Sequence, residues 1–146
     1  MTTDSEDIYL ITGGYGFIGS SLIRILLKKE KTVCNIDKLT YSSNLNALES
    51  YDKTENYHFY KEDICNENKI FEILERHKPT KVIHLAAETH VDRSIDDPSD
   101  FVKSNINGTY SLLNSTYRYW KKLEDDEKNI FKLLIVSTDE VYGSLR

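Results

Sequence analysis

Residues Thr12-Gly13-Gly14-Tyr15-Gly16-Phe17-Ile18-Gly19 satisfy two spacings at once: Gly14, Gly16 and Gly19 read G-x-G-x-x-G, while Gly13, Gly16 and Gly19 read G-x-x-G-x-x-G. Glycines so placed let the chain turn tightly, bring its backbone close to a pyrophosphate and pack a helix against a sheet. A helix starting at such a turn adds free N–H groups and a positive dipole end for phosphate. Eighteen residues past Gly19 stands Asp37, a carboxylate that can accept both ribose hydroxyls of an adenosine and would repel a 2′-phosphate. This pair points to NAD over NADP, with the charge of Lys38 opposing that preference. Asp63-Ile64 and Leu85-Ala86-Ala87-Glu88-Thr89 each follow an apolar run. Ala86 and Ala87 would let a cofactor lie on the backbone, although close helix–sheet packing uses the same small residues. Thr138-Asp139-Glu140 sets two carboxylates side by side, able to divide acid and base work if their surroundings separate their pKa values. A helix cap or a solvated loop would use the same three residue types.

These residues act together only if strands deliver them to one edge. Apolar runs predict strands over Ile8–Thr12, Thr32–Asp37, Tyr57–Lys61, Lys81–Ala86 and Ile130–Ser137. Helical spacing predicts helices over Gly16–Lys29, with Ile18, Leu22, Ile25 and Leu26 inward, and over Asn66–His77, with Ile70, Ile73 and Leu74 inward. Pro79 ends the latter. A longer helix spans Ser99–Trp120 with Val102, Ile106, Thr109, Leu113 and Trp120 inward, a short helical stretch lies about Asn46–Ser50, and Glu124–Lys128 reads as a solvated loop. Alternating strands and helices require right-handed crossovers, hence a doubly wound parallel α/β sheet of Rossmann type, in order 3-2-1-4-5. The sheet is truncated at its last strand, whose apolar Phe131–Val136 run would form an edge expected to be covered by further sequence or another chain.

Composition narrows the function classes. With 146 residues the chain suits one domain with a real core, and its net charge of −5 argues against a nucleic-acid partner. No apolar run approaches the ~18 residues of a membrane span. Met1–Asp7 is acidic and polar, unlike a signal peptide, and is expected to be a disordered leader before a domain over 8–146 in the cytoplasm. Cys34 and Cys65 are expected to be reduced thiols, and His84 and His90 have no third ligand in view, so no metal is expected.

The segments TGGYGFIGS, NIDKLTYSSNL, KEDICN, HLAAETHVDRSI, SNINGTY and STDEVYGSL together resemble the extended short-chain dehydrogenase/reductase family and, within it, the dTDP-glucose 4,6-dehydratases, over residues 8–145. Epimerases of that superfamily usually carry a serine-rich stretch at positions 138–140. The resemblance implies NAD held by the glycine turn with Phe17 and Ile18, by Asp37, Lys38, Leu39 and Thr40 around the adenosine, and by Asp63 and Ile64 at the adenine. It adds Leu85 to Thr89 and Ser104 as further contacts. Tyr15 stands where alanine is common, a departure expected to be harmless if its side chain points to solvent. The implied activity is NAD-dependent dehydration of a nucleotide-activated glucose in deoxysugar biosynthesis. C4 is oxidised, Glu140 takes the C5 proton, Asp139 protonates the departing C6 hydroxyl, and hydride returns to C6, while Thr138 and Thr89 bond the sugar.

The family's Tyr-x-x-x-Lys pair follows the STDEVYG segment and would fall beyond Arg146, as would the substrate domain, so this chain alone is expected to be inactive. Tyr57 and Lys61 match the spacing on a strand, roughly 13 Å apart at ~3.3 Å per residue. Tyr117 and Lys121 match it on a helix ahead of the fifth strand. Neither pair is assigned a catalytic role. A homodimer through the Ser99–Trp120 helix is expected from the resemblance. A non-catalytic NAD-binding module or subunit and a dehydratase of UDP-glucose stay open.

Overall fold

In the computed structural model, which describes residues 7–89 and 97–143, five strands lie parallel. They are β1 (Ile8–Thr12), β2 (Thr32–Asp37), β3 (Tyr57–Lys61), β4 (Lys81–His84) and β5 (Lys132–Ile135), in the order β3-β2-β1-β4-β5. Register places Thr12 opposite both Ile36 and His84, so the ends of the three central strands fall level. The connections are α1 (Phe17–Lys28), two single turns at Leu45–Ala47 and Glu49–Tyr51, α2 (Glu67–His77), then α3 (Ser99–Phe101). A π-helical segment (Val102–Gly108) joins α3 to α4 (Thr109–Lys122), which is followed by α5 (Asp125–Ile130). None of the described helices is long and apolar enough to cross a membrane.

Strand side chains alternate between two cores, as a pleat buried on both faces requires. Leu10, Cys34, Ile36 and Val82 meet Ile70, Ile73 and Leu74 of α2 and Leu112 and Tyr119 of α4. Ile11 and Val33 meet Ile23, Leu26 and Leu27 of α1, with Leu48 and Tyr57. Cys34 and Cys65 are both free thiols, and burial pushes the Cys34 thiol up to about 12.

Two helices turn differently from their apolar spacing. In α1 the buried face is Gly19, Ser20, Ile23, Leu26 and Leu27, and Ile18 and Ile25 are exposed. Small residues at the helix start let it approach the sheet, and that approach sets the rotation. In α4 the buried stripe is Leu112, Ser115, Thr116 and Tyr119. Ser115 Oγ donates to the Glu67 carbonyl at 2.9 Å, so α4 meets α2 through small polar residues. The larger Val102, Ile106, Tyr110, Leu113 and Tyr117 are exposed, and Trp120 is 37% exposed. The π-helical segment adds to the shift, since its wider turns change the phase of every residue that precedes α4.

Residues 124–130, expected to be a loop running into the strand, instead form α5, nucleated by a capping box in which Glu124 and Glu127 satisfy each other's backbone N–H groups. The fifth strand therefore begins at Lys132, pairing along β4 from Lys81↔Lys132 to His84↔Ile135. It lies at the sheet edge with Leu134, Ile135 and Val136 exposed.

Candidate functional site

The site grows from the end of β1. Gly13 turns with φ +73° and donates its N–H to the Ile36 carbonyl, and Gly16 donates to Gly13 O at 3.1 Å. The first helical bond of α1 runs from Ser20 N to Gly16 O, so the N–H groups of Phe17, Ile18 and Gly19 have no carbonyl within the helix to reach. No side chain caps Gly16, and the first turn contains no acidic residue. Phe17 is 92% exposed, so the donors beside it open to solvent. The turn also tolerates no side chains where it bends: a Cβ on Gly19 would come within 2.2 Å of Gly13 O. Uncapped donors at a dipole's positive end, with the backbone stripped of Cβ atoms, fit the pyrophosphate of a dinucleotide.

Asp37 ends β2 beside this turn, 8% exposed. Its Oδ2 accepts from the Tyr15 amide at 2.9 Å, and its Oδ1 accepts from the Leu39 amide at 2.8 Å and from Ser43 Oγ at 3.4 Å. Leu39 reaches this arrangement with φ +59°. A carboxylate has about four lone-pair positions, so Asp37 keeps acceptor capacity for a ribose hydroxyl.

Turn and carboxylate share one cleft of about 570 Å³ out to its open mouth. Of the expected residues, Gly13, Gly16, Asp37, Lys38, Thr40, Ile64, Leu85, Ala86, Ala87, Glu88 and Ser104 line it. Ile36, Ser42, Ser43 and Glu62 line it as well. Their positions beside Asp37 and Asp63 were the available signal, but loop geometry decides which loop side chains face inward. Gly19 sits beneath the turn, and Asp63 turns toward the Cys65 amide (2.9 Å) and Lys103 Nζ (3.9 Å). Thr89 is exposed at the last described position before residue 97.

The far wall is held by polar bonds that the sequence pattern did not reveal. Asn105, in the π-helical segment, accepts from the Glu88 amide at 2.8 Å and donates to the Glu88 carbonyl at 2.9 Å. Lys38 Nζ donates to Ser104 Oγ at 2.8 Å and lies 3.9 Å from Glu88 Oε1. Thr12 Oγ1 accepts from the Leu85 and Ala86 amides, each at 3.2 Å. Its own proton therefore goes to His84 Nδ1 at 2.7 Å, which leaves Nε2–H to donate to Thr109 Oγ1 at 3.1 Å.

His84 is thus a neutral ring in a bonded core position, and burial holds its pKa below the usual range. His77 is also depressed, first by burial and then by His58 and Arg76. The unfolded chain binds protons on these rings near the ordinary value of about 6.5 while the folded chain refuses them. Stability is therefore expected to be full above that value and to fall as pH drops below it toward the folded-state values. Urea midpoints at pH 7.5 and 5.5 check this, and equal midpoints would contradict it.

Asp139 belongs to a single turn (Asp139–Tyr142) after β5, with Thr138 and Asp139 exposed. This is the same carboxyl edge as the cleft, but neither Thr138 nor Asp139 lines it. The side chain of Glu140, with residues 90–96, lies outside the described residues, so His90 is not placed. Tyr57 is buried on β3 bonded to Asn35 Nδ2, and Tyr117 is exposed on α4 with Lys121 Nζ 5.4 Å from its ring centre. Neither tyrosine lines the cleft. Tyr15 does not meet the solvent-facing condition under which its departure from alanine would be harmless: it is buried. Its ring fills the space under the turn against Phe59.

Comparison with known proteins agrees with this geometry. The chain is 50% identical over 137 residues to the dTDP-glucose 4,6-dehydratase of Salmonella typhimurium, covering 93% of this chain and 38% of the relative. It is 52% identical over 136 residues to a probable dTDP-glucose 4,6-dehydratase of Sinorhizobium fredii, covering 93% of this chain and 39% of that one. The chain thus spans about two fifths of the length of these curated relatives. The dTDP-glucose 4,6-dehydratase of Streptomyces venezuelae, crystallised with NAD bound, superposes with a TM-score of 0.80 at 34% identity, over 95% of this chain and 42% of that one. A UDP-glucose 4-epimerase of Brucella ovis in complex with NAD gives 0.75 at 26% identity, over 94% and 38%. Residues 10–146 match the model of the GDP-mannose 4,6 dehydratase family, and the chain belongs to that family.

Proposed function

We propose that residues 8–146 form the NAD-binding part of a dehydratase that converts dTDP-glucose to its 4-keto-6-deoxy product. The observation that carries this reading is the single cleft with an uncapped helix start at one end and the Asp37 carboxylate at the other. Those two ends match the pyrophosphate and the adenosine ribose of a dinucleotide. Bound there, NAD supplies the means to take a hydride from the sugar and return it.

The chain's own residues do the remaining work. Gly13 and Gly16 let the cofactor approach the backbone, and the N–H groups of Phe17, Ile18 and Gly19 receive its phosphates. Asp37 accepts a ribose hydroxyl, Lys38, Leu39 and Thr40 surround the adenosine, and Asp63 and Ile64 border the adenine. Leu85 to Thr89 and Ser104 form the opposite wall. Glu140 takes the C5 proton, made acidic by the neighbouring ketone, and Asp139 protonates the C6 hydroxyl as it leaves. Thr138 and Thr89 hydrogen-bond the sugar. Pairing of two copies through the exposed α4 face is part of this reading, as is a cytoplasmic setting, where NAD and nucleotide sugars are supplied.

The test is carried out in a polypeptide of the relatives' full length bearing this segment, incubated with dTDP-glucose or UDP-glucose. Asp139→Asn and Glu140→Gln are expected to lower dehydration by 10²–10⁴-fold, the usual worth of a positioned acid or base. Transient reduction of the cofactor, read at 340 nm, should persist in both variants. Loss of that reduction would contradict the division of roles, and a preference for UDP-glucose would replace the substrate.

A further inference from the structure

Tyr15 stands inside the glycine turn, and its ring, its amide and its carbonyl are all engaged. Its ring is edge-on to Phe59 of β3, centroids 4.9 Å apart at 81°. Tyr57 belongs to the same buried cluster, and its hydroxyl accepts from Asn35 Nδ2 at 2.9 Å. The Tyr15 amide donates to Asp37 Oδ2, and the Tyr15 carbonyl accepts from the Asn44 amide, both at 2.9 Å. Beneath it Asn35 is fully buried, with no hydrogen-bond partner for Oδ1. Asn35 lies so close under the turn that a Cβ on Gly14 would come within 2.0 Å of that oxygen. The floor of the turn is therefore polar, and Tyr57 packs beside Tyr15 above it.

We propose that Tyr15 is a positioning residue for the adenosine ribose: anchored by its ring to β3, it fixes the plane of the Asp37 carboxylate that receives the ribose hydroxyls. The terminal torsion of an aspartate is soft, so its carboxylate plane is set by the donors it meets. Two amides meet it here, one on each oxygen. The Leu39 amide is two residues along the same chain and moves with Asp37. The Tyr15 amide comes from the other side of the cleft floor, so it alone references the carboxylate to the phosphate end of the site. The Asn44 bond then draws the 40–44 loop, with Ser43 on Asp37 Oδ1, to the same anchor. Removal of the ring frees the turn from the sheet, the amide shifts, and the ribose contact weakens while the helix start still receives phosphate.

This inference rests on the NAD reading, and its test separates the two. Calorimetry compares ADP with 2′-deoxy-ADP on the chain, on Tyr15→Phe and on Tyr15→Ala. The ratio of the two affinities reads the contact to one hydroxyl. The unaltered chain is expected to prefer ADP about tenfold, the worth of one hydrogen bond to a charged group. Tyr15→Phe keeps ring and amide and should retain most of that ratio, while Tyr15→Ala should bring it to about twofold or less. Should Tyr15→Ala not fold, Tyr15→Leu fills the space without the aromatic edge or hydroxyl and carries the same expectation. A packing role alone would lower the thermal midpoint and leave the ratio unchanged, and that result overturns the inference with the ribose assignment intact. No preference in the unaltered chain overturns both.

Discussion

Asp37→Ala is expected to weaken NAD binding by roughly 10- to 100-fold, the equivalent of the ~1.5–3 kcal/mol that a hydrogen bond to a charged group contributes. In the unaltered chain NAD should bind well ahead of NADP, because a 2′-phosphate would be brought against the Asp37 carboxylate. The substitution removes that repulsion together with the ribose acceptor, so the gap between the two cofactors should narrow from both sides. It also leaves the Tyr15 and Leu39 amides without their acceptor, so a drop in stability of about 1–3 kcal/mol should accompany the loss of affinity. Calorimetry with both cofactors, beside a urea titration of each protein, reads the two effects separately. Unchanged NAD affinity in a folded variant would rule out the ribose assignment.

The largest stability effect is expected at Gly13. A Cβ there would lie 2.7 Å from Ala86 N, 2.8 Å from its Cα and 2.9 Å from Leu85 C, all backbone atoms with no rotamer to yield. The residue also has φ +73°, where a side chain costs about 1 kcal/mol or more. Overpacking adds about 1–3 kcal/mol, so Gly13→Ala should cost about 3 kcal/mol and push the cleft wall outward. Gly143 provides an internal comparison: its φ is also +73°, but nothing among the described residues lies within 4 Å of a Cβ. Gly143→Ala should therefore cost only the conformational part, about 1 kcal/mol. Equal urea midpoints for the two variants would show that the clash at Ala86 is relieved at no cost.

The strands that place the site were readable because their signals are local. β2 and β3 occupy Thr32–Asp37 and Tyr57–Lys61 as their apolar runs predict, and alternation with helices requires the parallel order that is found. The glycine turn and Asp37 were readable for the same reason, since each is a residue type demanded by one turn or one strand end. The face of a helix is different. α4 buries Ser115 and Thr116 and exposes Leu113, because contact with α2 favours close approach over side-chain volume. Tyr15 went under the turn because Asn35, Tyr57 and Phe59 had prepared a place for its ring, three residues from two other strands that no local pattern connects. Ser42, Ser43 and Glu62 reached the cleft through loop conformation, which no local period encodes.

Asn105 and Glu88 exchange an N–H and a C=O in the manner of two paired strand residues, although one side of the exchange is a side chain. A side-chain amide suits this exchange, since it presents a donor and an acceptor side by side on one planar group. β4 ends at His84, yet its continuation is as fully bonded at Glu88 as a ladder would make it. This wall of the cleft is thus irregular in shape but already ordered. Less conformational entropy is lost from the protein when the ligand arrives, and more of each contact formed there is realised as affinity.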